Sequence, residues 1–239
     1  MRRRLGFWRG LAIVTVKPTL FVLTKRTWSG MEHIPAEGGV IIAANHVSEA
    51  DPLILSHYIF DAGRWPQFLA KASLFKIVGL GPYLRAVKQI PVYRGTADAV
   101  KSLDAAAAAL GDGDGVIIYP EGTTPKSGDL WPQRGKTGVA RLFLRTGVPV
   151  VPVVSWGPQL LLDPRTRKVR LRPRTPVTVI AGPPIDLSRW TGAEPTAANL
   201  YAITDEIMTV LRDLLAGIRG ETAPEQPSAA RRGDGGSAA

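Results

Sequence analysis

The sequence predicts an α/β fold: a single domain with a roughly seven-stranded, mainly parallel or mixed sheet flanked by helices, preceded by a short N-terminal interfacial helical motif. Three observations lead there. Short apolar runs of strand length alternate with longer stretches of helical periodicity. Turns rich in glycine, proline and polar residues separate them. A long amphipathic pattern closes the ordered part of the chain.

Residues 1–28 form the interfacial segment. Arg2, Arg3, Arg4, Arg9, Lys17, Lys25 and Arg26 precede the first acid, Glu32, and enclose Leu5, Phe7, Trp8, Leu11, Ile13, Val14 and Val16, then Leu20 to Leu23. A spanning helix needs about 20 mostly apolar residues, and Lys17-Pro18 divides this run in two. No small-residue cleavage site follows it, so a signal peptide is not expected. The expectation is one or two helices lying in a membrane interface, aromatic and aliphatic side chains inserted and cations on anionic lipid. A helix packed on its own domain, with solvated arginines, is the simpler alternative.

The α/β domain is placed at residues 29–219. Residues 39–44 (GVIIAA) read as a buried strand and 52–60 as a helix, with Asp51 at its N-cap and Pro52 at its first position. Strands are expected at 67–70 and 87–93. An alanine-rich helix follows at 96–110, ended by Gly-Asp-Gly-Asp-Gly. Then come a strand at 116–119, a helix at 135–146 stopped by Gly147, and a strand at 150–154. Residues 169–172 and 177–181 are expected as a hairpin or an edge pair, the first carrying the basic run Arg165, Arg167, Lys168, Arg170, Arg172 and Arg174 as an exposed charged strand. Helix 196–218 closes the domain through Leu200, Ile203, Ile207, Val210, Leu211, Leu214 and Leu215. The tail, 220–239, is Pro, Gly, Ala and Ser with scattered charge, and is expected to be disordered.

Composition narrows the function. A chain of 239 residues that is 45% hydrophobic and 21% charged buries a full core, which excludes disorder and fibrous repeats for most of it. Zero cysteine excludes disulfides, thiolate zinc sites and a cysteine nucleophile. A net charge of +10 points to an anionic partner: nucleic acid, membrane or phosphorylated substrate.

Three strand ends carry reactive groups. The first strand runs into Asn45-His46-Val47-Ser48-Glu49-Ala50-Asp51. In a strand-to-helix turn, His46 and Asp51 can meet. A carboxylate on one ring nitrogen fixes the tautomer, leaving the other nitrogen to take a proton from a hydroxyl. Against this, Asp-Pro is an ordinary helix opening and His46 could be a satisfied polar residue at a strand end. Tyr119-Pro120-Glu121-Gly122-Thr123-Thr124 offers a carboxylate, hydroxyls and a glycine open to a ligand; it could equally be a polar turn. Ile90-Pro91-Val92-Tyr93-Arg94 delivers a guanidinium suited to phosphate, or simply a surface arginine.

In order and spacing, these pieces resemble the 1-acylglycerol-3-phosphate acyltransferase (lysophosphatidic acid acyltransferase) family. Its first block, Asn-His-x-x-x-x-Asp, is matched by Asn45-His46 and Asp51, and its second by Ile90 to Arg94. Its third, Phe/Tyr-Pro-Glu-Gly-Thr-Arg, is matched by Tyr119 to Thr123, and its fourth by Val148 to Val153. Lys71 resembles a recurrent lysine between the first two blocks. The resemblance covers roughly residues 30 to 190. It implies an acyltransferase in phospholipid biosynthesis that acylates the free hydroxyl of 1-acylglycerol-3-phosphate from acyl-CoA or acyl carrier protein, with no other cofactor and no metal. His46 would be the general base and Asp51 its orienting partner. Lys71 and Arg94 would hold the acceptor phosphate, with Glu121, Gly122 and Thr123 around glycerol and phosphate. The expected setting is the cytoplasmic face of the cell membrane, peripheral or monotopic, with anionic lipid as partner. Thr124 departs from the family's arginine. Phosphate binding would then rest on Arg94, Lys126 or Arg134, or the acceptor would be another lysolipid or a glycolipid.

Rival readings are weaker. Gly135-Lys136-Thr137 resembles the end of a phosphate-binding loop, but the required earlier glycine falls on Leu130. No nucleic-acid recognition motif accompanies the charge, which concentrates beside apolar residues. A non-catalytic lipid-binding protein on a decayed acyltransferase scaffold is hard to square with an intact His46 and Asp51.

Overall fold

The structure is a computed structural model and describes residues 6–93, 99–124 and 128–224. Helix α1 (Phe7–Leu23) leads into β1 (Thr24–Ser29), then β2 (Val40–Ala44), α2 (Asp51–Asp61), β3 (Gln67–Lys71), α3 (Leu80–Ala86) and β4 (Ile90–Val92). Helix α4 (Ala99–Gly111), β5 (Gly115–Ile118), α5 (Gly138–Thr146), β6 (Val150–Trp156), the short α6 (Pro158–Leu161), β7 (Thr175–Ala181) and α7 (Ala197–Arg219) complete it.

The sheet has seven strands in the order β1-β7-β6-β2-β5-β3-β4. Neighbours pair parallel except β6 with β7, so the sheet is mixed, as the alternation of patterns predicts. Strand β2 lies inside it and is buried on both faces, as expected of an all-apolar run. Its period of two divides the core. Ile41 and Ala43 face a cluster with Leu142, Phe143, Ile203 and Leu211; Val40, Ile42 and Ala44 face one with Leu20, Ile54, Leu55 and Tyr58. Each fully buried isoleucine or leucine in these clusters contributes about 1.5–3 kcal/mol. Because β2, β5, β3 and β4 are parallel neighbours, their carboxyl ends open on one edge of the sheet, where open α/β sheets bind ligands.

Four local expectations need correction. Residues 24–28, assigned from sequence to the interfacial helical segment, are strand: β1 pairs parallel with β7 from Thr24↔Thr175 to Ser29↔Ile180. Its side chains alternate between buried or half-buried and exposed, and the charge on Lys25 and Arg26 obscured that period. Lys17-Pro18 does not divide α1, which runs through Pro18. The carbonyl that proline leaves unpaired belongs to Val14, which is exposed, so it is free to meet solvent. Residues 169–172 are not a sheet strand; β1 and β6 already occupy both sides of β7, and only a single bridge, Leu162↔Val169, forms there. Finally, α3 was not foreseen, and the strand expected at 87–93 shortens to Ile90–Val92.

Candidate functional site

Asn45 fixes the start of the site. Its side chain accepts the Ser155 N–H (2.8 Å) and donates to the Ser155 carbonyl (3.0 Å), extending the β2–β6 pairing one residue past the ladder. His46 therefore leaves the sheet from a fixed backbone. Its Nδ1 lies 2.8 Å from Asp51 Oδ2, and the same oxygen accepts the Ser48 N–H at 2.9 Å. Asp51 is wholly buried and the His46 side chain 15% exposed. Burial raises the Asp51 carboxyl above the ordinary range; the His46 bond and charge and the Ser48 amide oppose it. An ionised carboxylate only accepts, so Nδ1 carries the proton and Nε2 is the nitrogen left to act as base. Tyr119 stacks on the imidazole at 4.1 Å between centroids, which fixes the ring from one face.

The contacts of Asp51 are not those of a helix cap. The residue before α2 is Ala50, with no side-chain cap, and the Asp51 carboxylate turns back to Ser48 and His46. It is a partner to the imidazole more than a cap.

Glu121 is placed otherwise than expected. Oε1 accepts the His46 N–H at 3.0 Å and Oε2 the Gln133 N–H at 3.1 Å, and the residue is 4% exposed. Both oxygens accept backbone amides, one of them that of His46, and the residue is not among those lining the cavity on which His46 opens. Burial pushes its carboxyl up to about 7, against the pull of the two amides and of His46. The unfolded chain releases this proton near 4.5, while the folded state holds it to about 7. Rising pH across that window therefore favours unfolding through this group. Relative to Glu121→Gln, which does not titrate, the native chain is expected to lose melting temperature from pH 4.5 to 7. Identical pH courses would contradict the burial argument.

His46 opens on a cavity of about 1030 Å³. Lys71, Gly122, Thr123 and Thr124 line it, so the structure gathers four of the sequence-predicted substrate residues around one cavity. Arg94 and Lys126 lie outside the described residues. Arg134 packs on the Tyr201 ring and is not on the wall.

One residue missed by sequence reasoning stands there instead. The Lys136 N–H bonds the Pro120 carbonyl at 2.8 Å, and its side chain lies across Gly122. Gly122 has φ +71, and a Cβ there would come within 3.0 Å of Lys136 Nζ. Lys136 makes no side-chain ion pair among the described residues. The signal in sequence was its place in Gly135-Lys136-Thr137, set aside once the phosphate-loop reading failed. Arg141 lines the same cavity, while Lys17 is paired with Asp61 at 2.6 Å. Glu49, bridged to Arg167, is the only carboxylate on the wall among the described residues. The rest is largely apolar, including Leu53, Phe60, Phe68, Leu84 and Val87. The cavity thus suits an amphiphile with an anionic head. Among the described residues no group of three or more His, Asp or Glu could hold a metal ion.

Fold and geometry together define a class: an α/β protein whose histidine–carboxylate pair, at the carboxyl edge of the sheet, faces a cavity part cationic and part apolar. Residues 25–156, more than half of the chain, match the family model described as Acyltransferase. The chain belongs to the acyltransferase family. It is 33% identical over 135 residues to the 1-acyl-sn-glycerol-3-phosphate acyltransferase of Borreliella burgdorferi, a match covering 54% of this chain and 50% of the relative. With the enzyme of that name from Bacillus subtilis it shares 29% over 130 residues, 53% of this chain and 60% of the relative. The chain spans about half the length of the curated relatives it matches. The crystal structure of the 1-acyl-sn-glycerophosphate (LPA) acyltransferase PlsC from Thermotoga maritima shares the fold, with a TM-score of 0.67 and 24% identity over 94% of this chain and 86% of that one.

Proposed function

We propose that this protein transfers an acyl group from acyl-CoA or acyl carrier protein to the free hydroxyl of 1-acylglycerol-3-phosphate, forming phosphatidic acid at the cytoplasmic face of the cell membrane. The observation that carries this is the 2.8 Å bond between His46 and a wholly buried Asp51 at the mouth of a cavity for an amphiphile. The relatives' names agree with it.

His46 Nε2 takes the proton of the acceptor hydroxyl as that oxygen attacks the thioester carbonyl. Asp51 holds the imidazole in the required tautomer and stabilises the imidazolium. Collapse of the tetrahedral intermediate breaks the carbon–sulfur bond, and the imidazolium returns its proton to the departing thiolate. The exposed apolar side chains of α1 – Phe7, Val14, Phe21 and Val22 among them – bring the enzyme to its lipid. No helix among the described residues is long and apolar enough to cross a membrane.

The acceptor phosphate is assigned to Lys71 and Lys136, together with Arg94 from the family resemblance. Lys136 supplies the charge that Thr124 lacks. Lys136→Ala is expected to raise the KM for lysophosphatidic acid tenfold or more, the equivalent of about 1.5–3 kcal/mol for a hydrogen bond to a charged group. The KM for the acyl donor should hardly move, and Thr124→Arg in the Lys136→Ala background should recover part of the loss. Unchanged use of lysophosphatidic acid by Lys136→Ala would remove the lysine from the site. Faster acylation of an uncharged glycolipid by the native enzyme would replace the acceptor.

A further inference from the structure

The basic run at 165–174 lies outside the acyl-transfer site. From sequence its charge suggested protection of a sheet edge, but this segment is not in the sheet. Residues 165–174 are exposed throughout. The segment is nonetheless shaped. Asp163 Oδ1 accepts the Arg165 and Thr166 amides at 2.9 Å each, the Arg170 N–H bonds the Leu161 carbonyl at 2.7 Å, and the Arg167 N–H bonds the Asp163 carbonyl at 2.9 Å. Arg167 and Arg174 sit in the left-handed region, with φ 54 and 57, which a non-glycine residue keeps only where its surroundings hold it.

Two features of this loop suit a surface that is both anionic and apolar. Its cations are mostly unmatched: Arg167 pairs with Glu49 at 3.3 Å and Arg170 with Asp163 at 3.8 Å, while Arg165, Lys168, Arg172 and Arg174 make no ion pair among the described residues. Between them stand two aliphatic side chains, Val169 at 64% and Leu171 at 68% exposure. Its anchors place it beside the working parts of the enzyme. The Arg174 N–H bonds the carbonyl of Val22, at the end of α1 where Phe21 and Val22 are also exposed. Ser48, two residues after His46, donates its hydroxyl to the Leu162 carbonyl at 2.6 Å.

We infer that residues 165–174 form a second membrane contact, in which the arginines and Lys168 bind anionic lipid headgroups while Val169 and Leu171 enter the interface. Cations flanking isolated apolar side chains are the chemistry of interfacial insertion, and basic residues at such a surface add attraction that salt screens. Continuity with the exposed end of α1 favours a bilayer over an acidic protein, which would need complementary carboxylates but no apolar depth. With α1, the loop would hold the His46 turn against the lipid surface from two sides.

The test uses the full chain and two variants at solvent-exposed positions, Lys168→Gln/Arg170→Gln/Arg172→Gln and Val169→Ser/Leu171→Ser. Flotation is measured with vesicles of phosphatidylcholine and of phosphatidylcholine with phosphatidylglycerol in equal parts. Melting temperature and acyl transfer to a detergent-dispersed acceptor serve as controls. The charge variant is expected to lose about tenfold or more of its binding to the anionic vesicles. The serine variant should lose binding to both kinds, with the controls unchanged for each. Native binding to anionic vesicles by both variants would overturn the inference. So would normal vesicle binding combined with a raised KM for acyl carrier protein, which would give the surface to an acidic protein. Because the readout is flotation, it stands apart from the choice of acceptor and from the reaction itself.

Discussion

Replacing His46 by alanine is expected to slow acyl transfer by about 100- to 10,000-fold, the contribution of a general base. The substitution also strips a buried carboxylate of its partner. Asp51 Oδ1 already lacks a hydrogen bond, so the carboxyl, with Oδ2 left only the Ser48 amide, would take up a proton. His46→Gln separates chemistry from packing, because its amide can still donate to Asp51 but cannot accept the substrate's proton at the same place. Both variants should be inactive, and the glutamine variant should melt nearer the native enzyme. Substantial turnover by either folded variant, measured as thiol release, would exclude His46 as the base.

The second large effect is expected of Asp51→Asn. Asparagine fills the same volume, and its carbonyl oxygen placed at the Oδ2 position accepts both the Ser48 N–H and the His46 Nδ1–H, as the carboxylate oxygen does. The tautomer is then kept, but the neutral amide no longer stabilises the imidazolium that forms as His46 takes the substrate's proton. A loss on the order of 100-fold or more follows from the missing charge. Stability should hold or rise, since an ionised carboxylate in a dry site is replaced by a neutral amide. Low activity with undiminished melting temperature distinguishes an orienting carboxylate from a structural one. Full activity of Asp51→Asn would make it structural.

What the sequence disclosed of this site depended on how local the causes were. The β2 run and the turn after it declare themselves within a dozen residues, so His46 and Asp51 were legible, as was the parallel sheet that places them. Glu121 was legible as a residue but not in its contacts. Its partners are the backbone amides of His46 and Gln133, one of them supplied across the sheet, and backbone amides leave no mark in a sequence. Lys136 was hidden for a similar reason: it reaches the site through a turn that folds Pro120 against it. Strand β1 was missed because it is an edge strand whose adjacent Lys25 and Arg26 put charge on both faces, so that burial supplies only a weak period. Pro18 misled in the other direction, since a helix at the surface tolerates the lost hydrogen bond that a buried helix would not.

On the proposed reading, His46 removes the proton of a hydroxyl on a phosphate-bearing lysolipid. The most direct measurement incubates the purified native enzyme and His46→Ala with acyl-CoA or acyl carrier protein and each of two acceptors, lysophosphatidic acid and its dephosphorylated monoacylglycerol, and identifies the products by mass spectrometry. Phosphatidic acid is expected from the native enzyme, with little or no diacylglycerol, and neither product from His46→Ala. Phosphatidic acid formed equally by His46→Ala would contradict the base, and diacylglycerol formed as readily as phosphatidic acid would contradict the phosphate.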